Sequence, residues 1–172
     1  HNTDHKDRMG GSNVVQAFYA GYNTVRDEDY DFIVKLDADL SLPPNYFEEV
    51  IKCFTLNPRI GLCGGYCMIQ ENGLLVKESY SEDHVRGAFK AYRRECFHHI
   101  GGLKPTWSWD GIDESALMFH GWELKVLPLP VIHHRPTSKE YNLLRHSYKT
   151  GYEMYRERVN LFSLVVICLV NA

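Results

Sequence analysis

The stretch that most constrains the fold is a largely apolar run that ends in two carboxylates. Residues 32–36, Phe-Ile-Val-Lys-Leu, lead into Asp37-Ala38-Asp39 and then into Leu40-Ser41-Leu42-Pro43-Pro44. Aromatic and β-branched residues in so short a run predict a buried strand, and open α/β sheets bind ligands at the carboxyl ends of their strands. Two neighbouring carboxylates repel each other unless a cation lies between them, and a divalent cation carrying a phosphorylated ligand is the natural partner. The alternative is a pair of solvated loop aspartates that cap the next helix.

Patterns of helix and strand alternate along the rest of the chain, which favours an α/β fold. Ser12 is a candidate helix cap, and a helix after Pro44 is predicted to bury the stripe Phe47, Val50, Ile51 and Phe54. Further strands are predicted at 60–69, 87–92 and 123–127, short helices at 93–100 and 113–120, a close backbone approach at Gly64-Gly65, a hairpin turn at Asn72-Gly73, and left-handed glycines at 101 and 102.

Composition narrows the class of protein. A length of 172 residues suits one domain with a sizeable core, and a net charge of −3 does not favour nucleic acid as a partner. The five cysteines are odd in number and lack zinc-ligand spacing, so we expect reduced core thiols in a cytosolic domain.

An acidic and aromatic cluster lies at 107–114, Trp-Ser-Trp-Asp-Gly-Ile-Asp-Glu. Tryptophan faces can stack on sugar rings, and a carboxylate at a helix N-terminus stays ionised and can accept a proton from an attacking hydroxyl. The alternative is that Asp113 and Glu114 only stabilise the first helical turn.

A third group of polar residues, His133-His134-Arg135, follows the apolar pair Val131-Ile132. Imidazole can complete a metal site that carboxylates begin, and the Arg135 guanidinium could bind phosphate in a bidentate way. The alternative is a loop histidine whose hydrogen bonds are satisfied locally.

The order of these motifs resembles that of the family 2 glycosyltransferases. The matching pieces are Asp-x-Asp at 37–39, Gly-Gly-Leu at 101–103 after a basic helix, Asp-Gly-Ile-Asp-Glu at 110–114, and a Gly-Trp strand that ends in histidine, so the resemblance runs from about Gly10 to His134. It implies a nucleotide-diphospho-sugar transferase (GT-A) fold, which is a mixed sheet flanked by helices. It also implies metal-dependent, inverting transfer of a sugar from a nucleotide-diphospho-sugar to a hydroxyl acceptor such as a glycan or a lipid-linked sugar, as in polysaccharide or cell-envelope biosynthesis.

The resemblance assigns the donor side of the site. Asp39 would bind Mn²⁺ or Mg²⁺, and Asp37 would lie near the donor ribose or its metal. Arg8 and Gly11 would lie beside the nucleotide. His134 would be a second metal ligand, with His133 as the alternative.

The resemblance also assigns the acceptor side. Asp113 would be the general base, with Glu114 and then Asp110 as rivals because the family usually has Glu-Asp at this point. Trp107, Trp109 and Asp110 would position the acceptor.

The family domain begins with a strand and a nucleotide-binding loop that do not precede His1. We therefore expect residues 1–136 to be a partial catalytic domain that lacks its N-terminal nucleotide-binding portion and is inactive alone. Residues 137–160 are predicted to form an amphipathic helix, and residues 161–172 an apolar tail that is either a truncated membrane segment or a buried terminal element. The expected location is the cytoplasm, with the inner face of the membrane as an alternative through this C-terminus.

Two other functions fit parts of the sequence. A haloacid-dehalogenase-type phosphatase also places Asp-x-Asp at the end of a strand, but its motif normally continues differently from Leu40-Ser41-Leu42. A non-catalytic carbohydrate-binding or scaffold relic of a transferase fits the missing front portion.

Overall fold

The structure is a computed structural model that describes residues 11–78, 83–106 and 108–135, all within one compact unit, His1–Pro136. The predicted helix at 137–160 and the tail at 161–172 lie outside the described residues. The elements in chain order are α1 (Ser12–Tyr22), β1 (Phe32–Leu36), β2 (Leu40–Ser41), α2 (Tyr46–Leu56), β3 (Ile60–Glu71), β4 (Leu74–Lys77), β5 (Phe89–Arg93), α3 (Arg94–His99), α4 (Trp109–Phe119) and β6 (Glu123–His133).

The strands form a mixed sheet in the order β1-β5-β3-β6-β2, and β4 pairs with β3. The β3–β6 pair is parallel, whereas the β1–β5, β3–β5, β3–β4 and β2–β6 pairs are antiparallel. The prediction of an α/β fold with a mixed sheet is therefore confirmed.

Two apolar clusters cover the two faces of this sheet. Neighbouring residues of a strand point to opposite faces, and Ala91 and Tyr92 of β5 belong to different clusters. Helix α2 contributes Val50 and Phe54 to the first cluster, whereas Val15 of α1 belongs to the second together with residues of α3 and α4. Helices thus pack on both faces.

Several local predictions are confirmed at turns and close contacts. Asn72 and Gly73 have φ values of 51° and 81° and join β3 to β4 as a hairpin. Gly101 and Gly102 are left-handed, with φ values of 66° and 69°. A Cβ at Gly65 would collide with the backbone of β6, so the predicted close approach is present.

Other local predictions were wrong in detail. Phe47 and Ile51 are 45% and 50% exposed because α2 turns only Tyr46, Val50 and Phe54 fully into the core. The N-cap of α1 is Gly11 rather than Ser12, with no side-chain capping bond.

The ends of two elements also differ from the prediction. Helix α4 begins at Trp109, four residues earlier than predicted, and β6 continues past residue 127 to His133 because it remains paired with β3 up to Ile69.

Cys53, Cys63, Cys67 and Cys96 are free thiols, as predicted, whereas Cys168 lies outside the described residues. None of the helices in the described ranges combines the length and the apolar character needed to cross a membrane.

Candidate active site

Strand β2 brings Asp39 to the end of β6. The register pairs Leu40 with His133, so the residue before β2 lies next to the end of β6. The Asp39 Oδ1 atom lies 3.5 Å from Nε2 of His133, and its Oδ2 atom accepts a hydrogen bond of 3.1 Å from Nε of Arg135. A carboxylate, an imidazole and a guanidinium therefore meet at this corner.

The two consecutive histidines have different partners. The His133 ring faces Asp39, while Nε2 of His134 lies 2.7 Å from Oγ of Ser41 and the His134 backbone N–H donates to the Asp39 carbonyl. Burial lowers the pKa of His133, although the charges of Asp39 and Asp37 partly oppose this effect. The geometry therefore places the ring of His133, the alternative in the sequence prediction, beside the Asp39 carboxylate, and the ring of His134 beside Ser41.

The buried Nδ1 atom of His133 has no hydrogen-bond partner within the described ranges. In this part of the chain, no group of three or more His, Cys, Asp and Glu side chains is arranged to hold a metal ion. The predicted roles of Asp39 and the histidines as metal ligands therefore stay predictions.

The carboxylate of Asp37, which directly follows β1, pairs with the ammonium of Lys35 in that strand. Lys35 is almost fully buried and donates a hydrogen bond to Oδ1 of Asp37. The Lys35 ammonium also lies 5.3 Å from the ring centroid of Trp109, within the range of a cation–π interaction. This lysine therefore connects the end of β1 to the start of α4.

Trp109 is only 5% exposed. The ammonium of Lys90, a residue of β5, lies 5.6 Å from the centroid of the Trp109 ring. The Trp109 ring packs beside the ammonium groups of Lys35 and Lys90, so little of the ring surface is accessible to a sugar. The packing of Trp109 does not favour its predicted stacking role, and Trp107 lies outside the described residues, so its role stays a prediction.

Asp113 lies in the second turn of α4, and its side chain is 1% exposed. Its carboxylate accepts hydrogen bonds of 2.8 and 3.0 Å from Lys90 and a further hydrogen bond from the Tyr92 hydroxyl. Burial raises the pKa of Asp113 to about 6, even though Lys90 and Tyr92 both act to lower it. This carboxylate is part of the packed interior.

Lys90 is the centre of this buried network. Its fully buried ammonium contacts Asp113, lies 3.0 Å from Oε1 of Glu114, and donates a hydrogen bond of 2.5 Å to the backbone carbonyl of Asp110. One cation on β5 thus contacts two carboxylates and holds the backbone of the first turn of α4.

Glu114 is also buried, and donors surround both of its oxygens. Oε1 accepts the Val85 backbone N–H at 3.0 Å, and Oε2 lies 2.9 Å from Nδ1 of His84. Burial acts to raise the pKa of Glu114, but the hydrogen bond from His84 and the charge of Lys90 outweigh it, so the pKa is lowered. Glu114 is therefore a carboxylate held in one orientation.

Asp110 is the most exposed of the three carboxylates in this helix. Its side chain is 32% exposed, compared with 1% for Asp113 and 8% for Glu114. Its Oδ2 atom lies 3.9 Å from Nε2 of His84, and a Cβ added at Gly87 would lie 3.0 Å from the same oxygen. Asp110 is thus the carboxylate of this cluster that an external group can reach.

The segment 83–88, between β4 and β5, joins the two acidic groups, and its role was missed by the sequence reasoning. Gly87 packs against Asp110, and the Ala88 carbonyl accepts the Asp37 backbone N–H at 2.8 Å. Arg86 pairs with Glu78 at 3.0 Å. The available sequence signal was His84-Val85-Arg86-Gly87. Such a short stretch has no hydrophobic periodicity that would single it out.

Of the predicted nucleotide-binding residues Arg8 and Gly11, the structure describes only Gly11, and no described contact brings Gly11 to this site. Gly11 is the N-cap of α1, whose Tyr19 hydroxyl donates to the Leu103 carbonyl at 3.0 Å. Arg8 lies outside the described residues. Their nucleotide-binding roles stay predictions.

The chain was compared with known proteins. No protein-family model matches it, and no curated protein sequence matches it. Among solved structures, it is similar to the mannosyltransferase PcManGT from Pyrobaculum calidifontis, determined in complex with GDP-Man and Mn²⁺, with a TM-score of 0.56 and 15% identity. The match covers 88% of this chain and 45% of that chain, so the present chain spans less than half of the length of that protein.

The fold is glycosyltransferase-like. At this level of identity, the likeness shows the fold alone.

Proposed function

We propose that this chain is the catalytic portion of a glycosyltransferase of family 2 with a GT-A fold. It would transfer a sugar, with inversion, from a nucleotide-diphospho-sugar to a hydroxyl of a glycan or of a lipid-linked sugar. One observation supports the proposal most directly. In a glycosyltransferase-like fold, the segment 83–88 contacts both acidic groups, because Ala88 accepts a hydrogen bond from Asp37 and Gly87 packs against Asp110. The GDP-Man and Mn²⁺ bound by the similar mannosyltransferase support a nucleotide sugar and a divalent metal as partners.

The donor set at Asp39 and His133 fits Mn²⁺ or Mg²⁺. These ions commonly bind one or two protein side chains and take the remaining ligands from substrate phosphates and water, and Mn²⁺ accepts both carboxylate oxygen and imidazole nitrogen. When bound, the ion would neutralise charge on the leaving diphosphate. Arg135, which contacts Asp39, would add a donor suited to phosphate.

Asp37 has a different role in this proposal. Lys35 already neutralises its carboxylate, so Asp37 is better suited to accept hydrogen bonds from the donor ribose than to supply charge for a metal. The buried lysine keeps this carboxylate in one position at the end of β1.

Asp110 is the general base in this proposal. Asp113 and Glu114, the first candidates from the sequence, are buried and already accept hydrogen bonds from Lys90, Tyr92 and His84. Asp110 can accept the proton of the acceptor hydroxyl as the hydroxyl oxygen attacks the anomeric carbon from the face opposite the diphosphate. Asp113 and Glu114 hold the ammonium of Lys90 in place, and Lys90 in turn donates a hydrogen bond to the backbone carbonyl of Asp110.

The test is a donor panel with the natural full-length protein. Radiolabelled GDP-mannose, UDP-glucose, UDP-galactose and UDP-N-acetylglucosamine are each incubated with Mn²⁺ and a mixture of glycan and lipid-linked acceptors, and labelled product is counted. Asp39→Asn is expected to lose product formation, whereas Glu48→Gln at an exposed position of α2 is expected to retain it. Saturable nucleotide-sugar binding without any transfer would favour the non-catalytic relic instead.

A further inference from the structure

We propose that His84 is a proton-relay residue that acts through Asp110, with Glu114 fixing its tautomer. The inference rests on the proposed function, because it assigns a route for the proton that Asp110 removes from the acceptor. The segment that carries His84 attracted no functional prediction from the sequence.

The His84 ring lies between two carboxylates. Glu114 Oε2 lies 2.9 Å from Nδ1 of His84, and Nε2 of the same ring lies 3.9 Å from Oδ2 of Asp110. The two nitrogens of one imidazole thus face two carboxylates, one buried and one partly exposed. A separation of 3.9 Å exceeds a hydrogen bond, but catalytic contacts are often long before substrate binds.

The ionisation of Glu114 defines the direction of the hydrogen bond between His84 and Glu114. The charge of Lys90 and the His84 bond keep Glu114 ionised, and an ionised carboxylate can only accept hydrogen bonds. His84 must therefore donate from Nδ1. In the neutral ring, Nε2 is then the acceptor, and it faces Asp110.

Two further contacts hold the Glu114 carboxylate in its orientation. Its Oε1 atom accepts the Val85 backbone N–H at 3.0 Å and lies 3.0 Å from the Lys90 ammonium. The second carboxylate oxygen is therefore held toward His84. The charged groups of α4 that face His84 are Glu114 and Asp110. Lys90 of β5 acts on His84 through its contact with Glu114, and Asp83 precedes His84 in the chain.

The proton and electron pairs balance along this line. The acceptor O–H bond breaks, its oxygen forms a bond to the anomeric carbon, and the bond from that carbon to the diphosphate oxygen breaks with its electron pair on the diphosphate. The proton passes to Oδ2 of Asp110 and from there to Nε2 of His84. The resulting imidazolium is stabilised by Glu114, and because the His84 side chain is 23% exposed, it can release the proton to solvent.

The tautomer can be measured without any substrate. In ¹⁵N-histidine-labelled protein, the His84 ring is assigned from the resonances lost in His84→Gln. We expect the Nδ1–H form in the wild-type protein and the Nε2–H form in Glu114→Gln, where the amide can donate to Nδ1. His99 is an internal reference of the opposite kind, because its Nδ1 accepts a hydrogen bond of 3.1 Å from Nε1 of Trp122. An Nε2–H tautomer for His84 in the wild-type protein would overturn the proposal.

The kinetic test separates the relay from a structural role. With the donor that the wild-type protein turns over, GDP-mannose being the first tested, His84→Ala is expected to lower kcat about ten- to hundredfold with little change in the donor KM. Added imidazole is expected to restore part of kcat in His84→Ala. The matched control His99→Gln is expected to keep the wild-type kcat.

The outcomes are distinguishable from failure of the proposed function. An inactive wild-type protein contradicts the proposed function and, with it, the relay. An active wild-type protein whose His84→Ala variant keeps full kcat, or loses kcat without any rescue by imidazole, overturns the relay alone.

Discussion

Replacing Lys90 with methionine tests whether one buried cation holds the acidic cluster together. The Lys90 ammonium lies 2.8 Å from Asp113 and 3.0 Å from Glu114, and none of these side chains has more than slight contact with solvent. Methionine fills a similar volume but leaves two buried carboxylates without their cation. Removing one partner of a buried ion pair typically costs about 3 to 5 kcal/mol, so we expect the free energy of unfolding of Lys90→Met to fall by that amount.

The assay is urea unfolding followed by circular dichroism at pH 7.5. The double variant Lys90→Met/Asp113→Asn removes one of the stranded charges and is expected to recover about 1 kcal/mol or more relative to Lys90→Met. Lys52→Met is the control, because Lys52 forms only an exposed pair with Glu49, and such pairs contribute about 0 to 1 kcal/mol. Equal losses for Lys90→Met and Lys52→Met, or no recovery in the double variant, would refute the reasoning.

Three further predictions concern the same site. Gly87→Ala should lower kcat about tenfold or more, because the new Cβ would lie 2.8 Å from the Trp109 ring and displace Asp110, the proposed base. Gly111→Ala is the control: a Cβ there would meet open space, so kcat in the same transfer assay should not change. His133→Gln should weaken Mn²⁺ binding in a calorimetric titration with GDP-mannose present, and equal weakening by His134→Gln would count against the assignment. Because burial raises the pKa of Asp113 from 3.8 to about 6, its ionisation opposes folding as pH rises. The wild-type free energy of unfolding should therefore fall relative to Asp113→Asn by about 2 to 3 kcal/mol between pH 4 and pH 7, as measured by urea unfolding.

The elements that the sequence predicted well are those with a strong local signal. The β1 strand was marked by its apolar run, the hairpin by Asn72-Gly73, and the end of α3 by Gly101-Gly102, because each depends on the backbone preferences of a few adjacent residues. The α/β class followed from the alternation of such elements. These signals need no knowledge of distant contacts.

The details of the site depended on long-range contacts that no local pattern carries. Lys90 looked like part of an extended segment, yet it becomes the buried counter-ion of residues 23 and 24 positions later in the chain. Asp113 was predicted at the start of a helix, but α4 begins four residues earlier, at Trp109, and Asp113 is buried in its second turn. His133 rather than His134 faces Asp39 because of the strand register with β2, which periodicity in β6 alone does not define.

In the proposed transfer site, Asp39 belongs to the half that holds the metal and the donor, and Asp110 belongs to the half that holds the acceptor. The most direct measurement is the donor Kd in the presence of Mn²⁺, together with kcat for labelled-sugar transfer, for the wild-type protein, Asp39→Asn and Asp110→Asn. We expect Asp39→Asn to lose Mn²⁺-dependent donor affinity, and Asp110→Asn to bind donor with the wild-type Kd while kcat falls by about a hundredfold or more. Wild-type turnover in Asp110→Asn would rule out Asp110 as the general base, and undiminished Mn²⁺-dependent donor binding in Asp39→Asn would rule out Asp39 as a metal ligand.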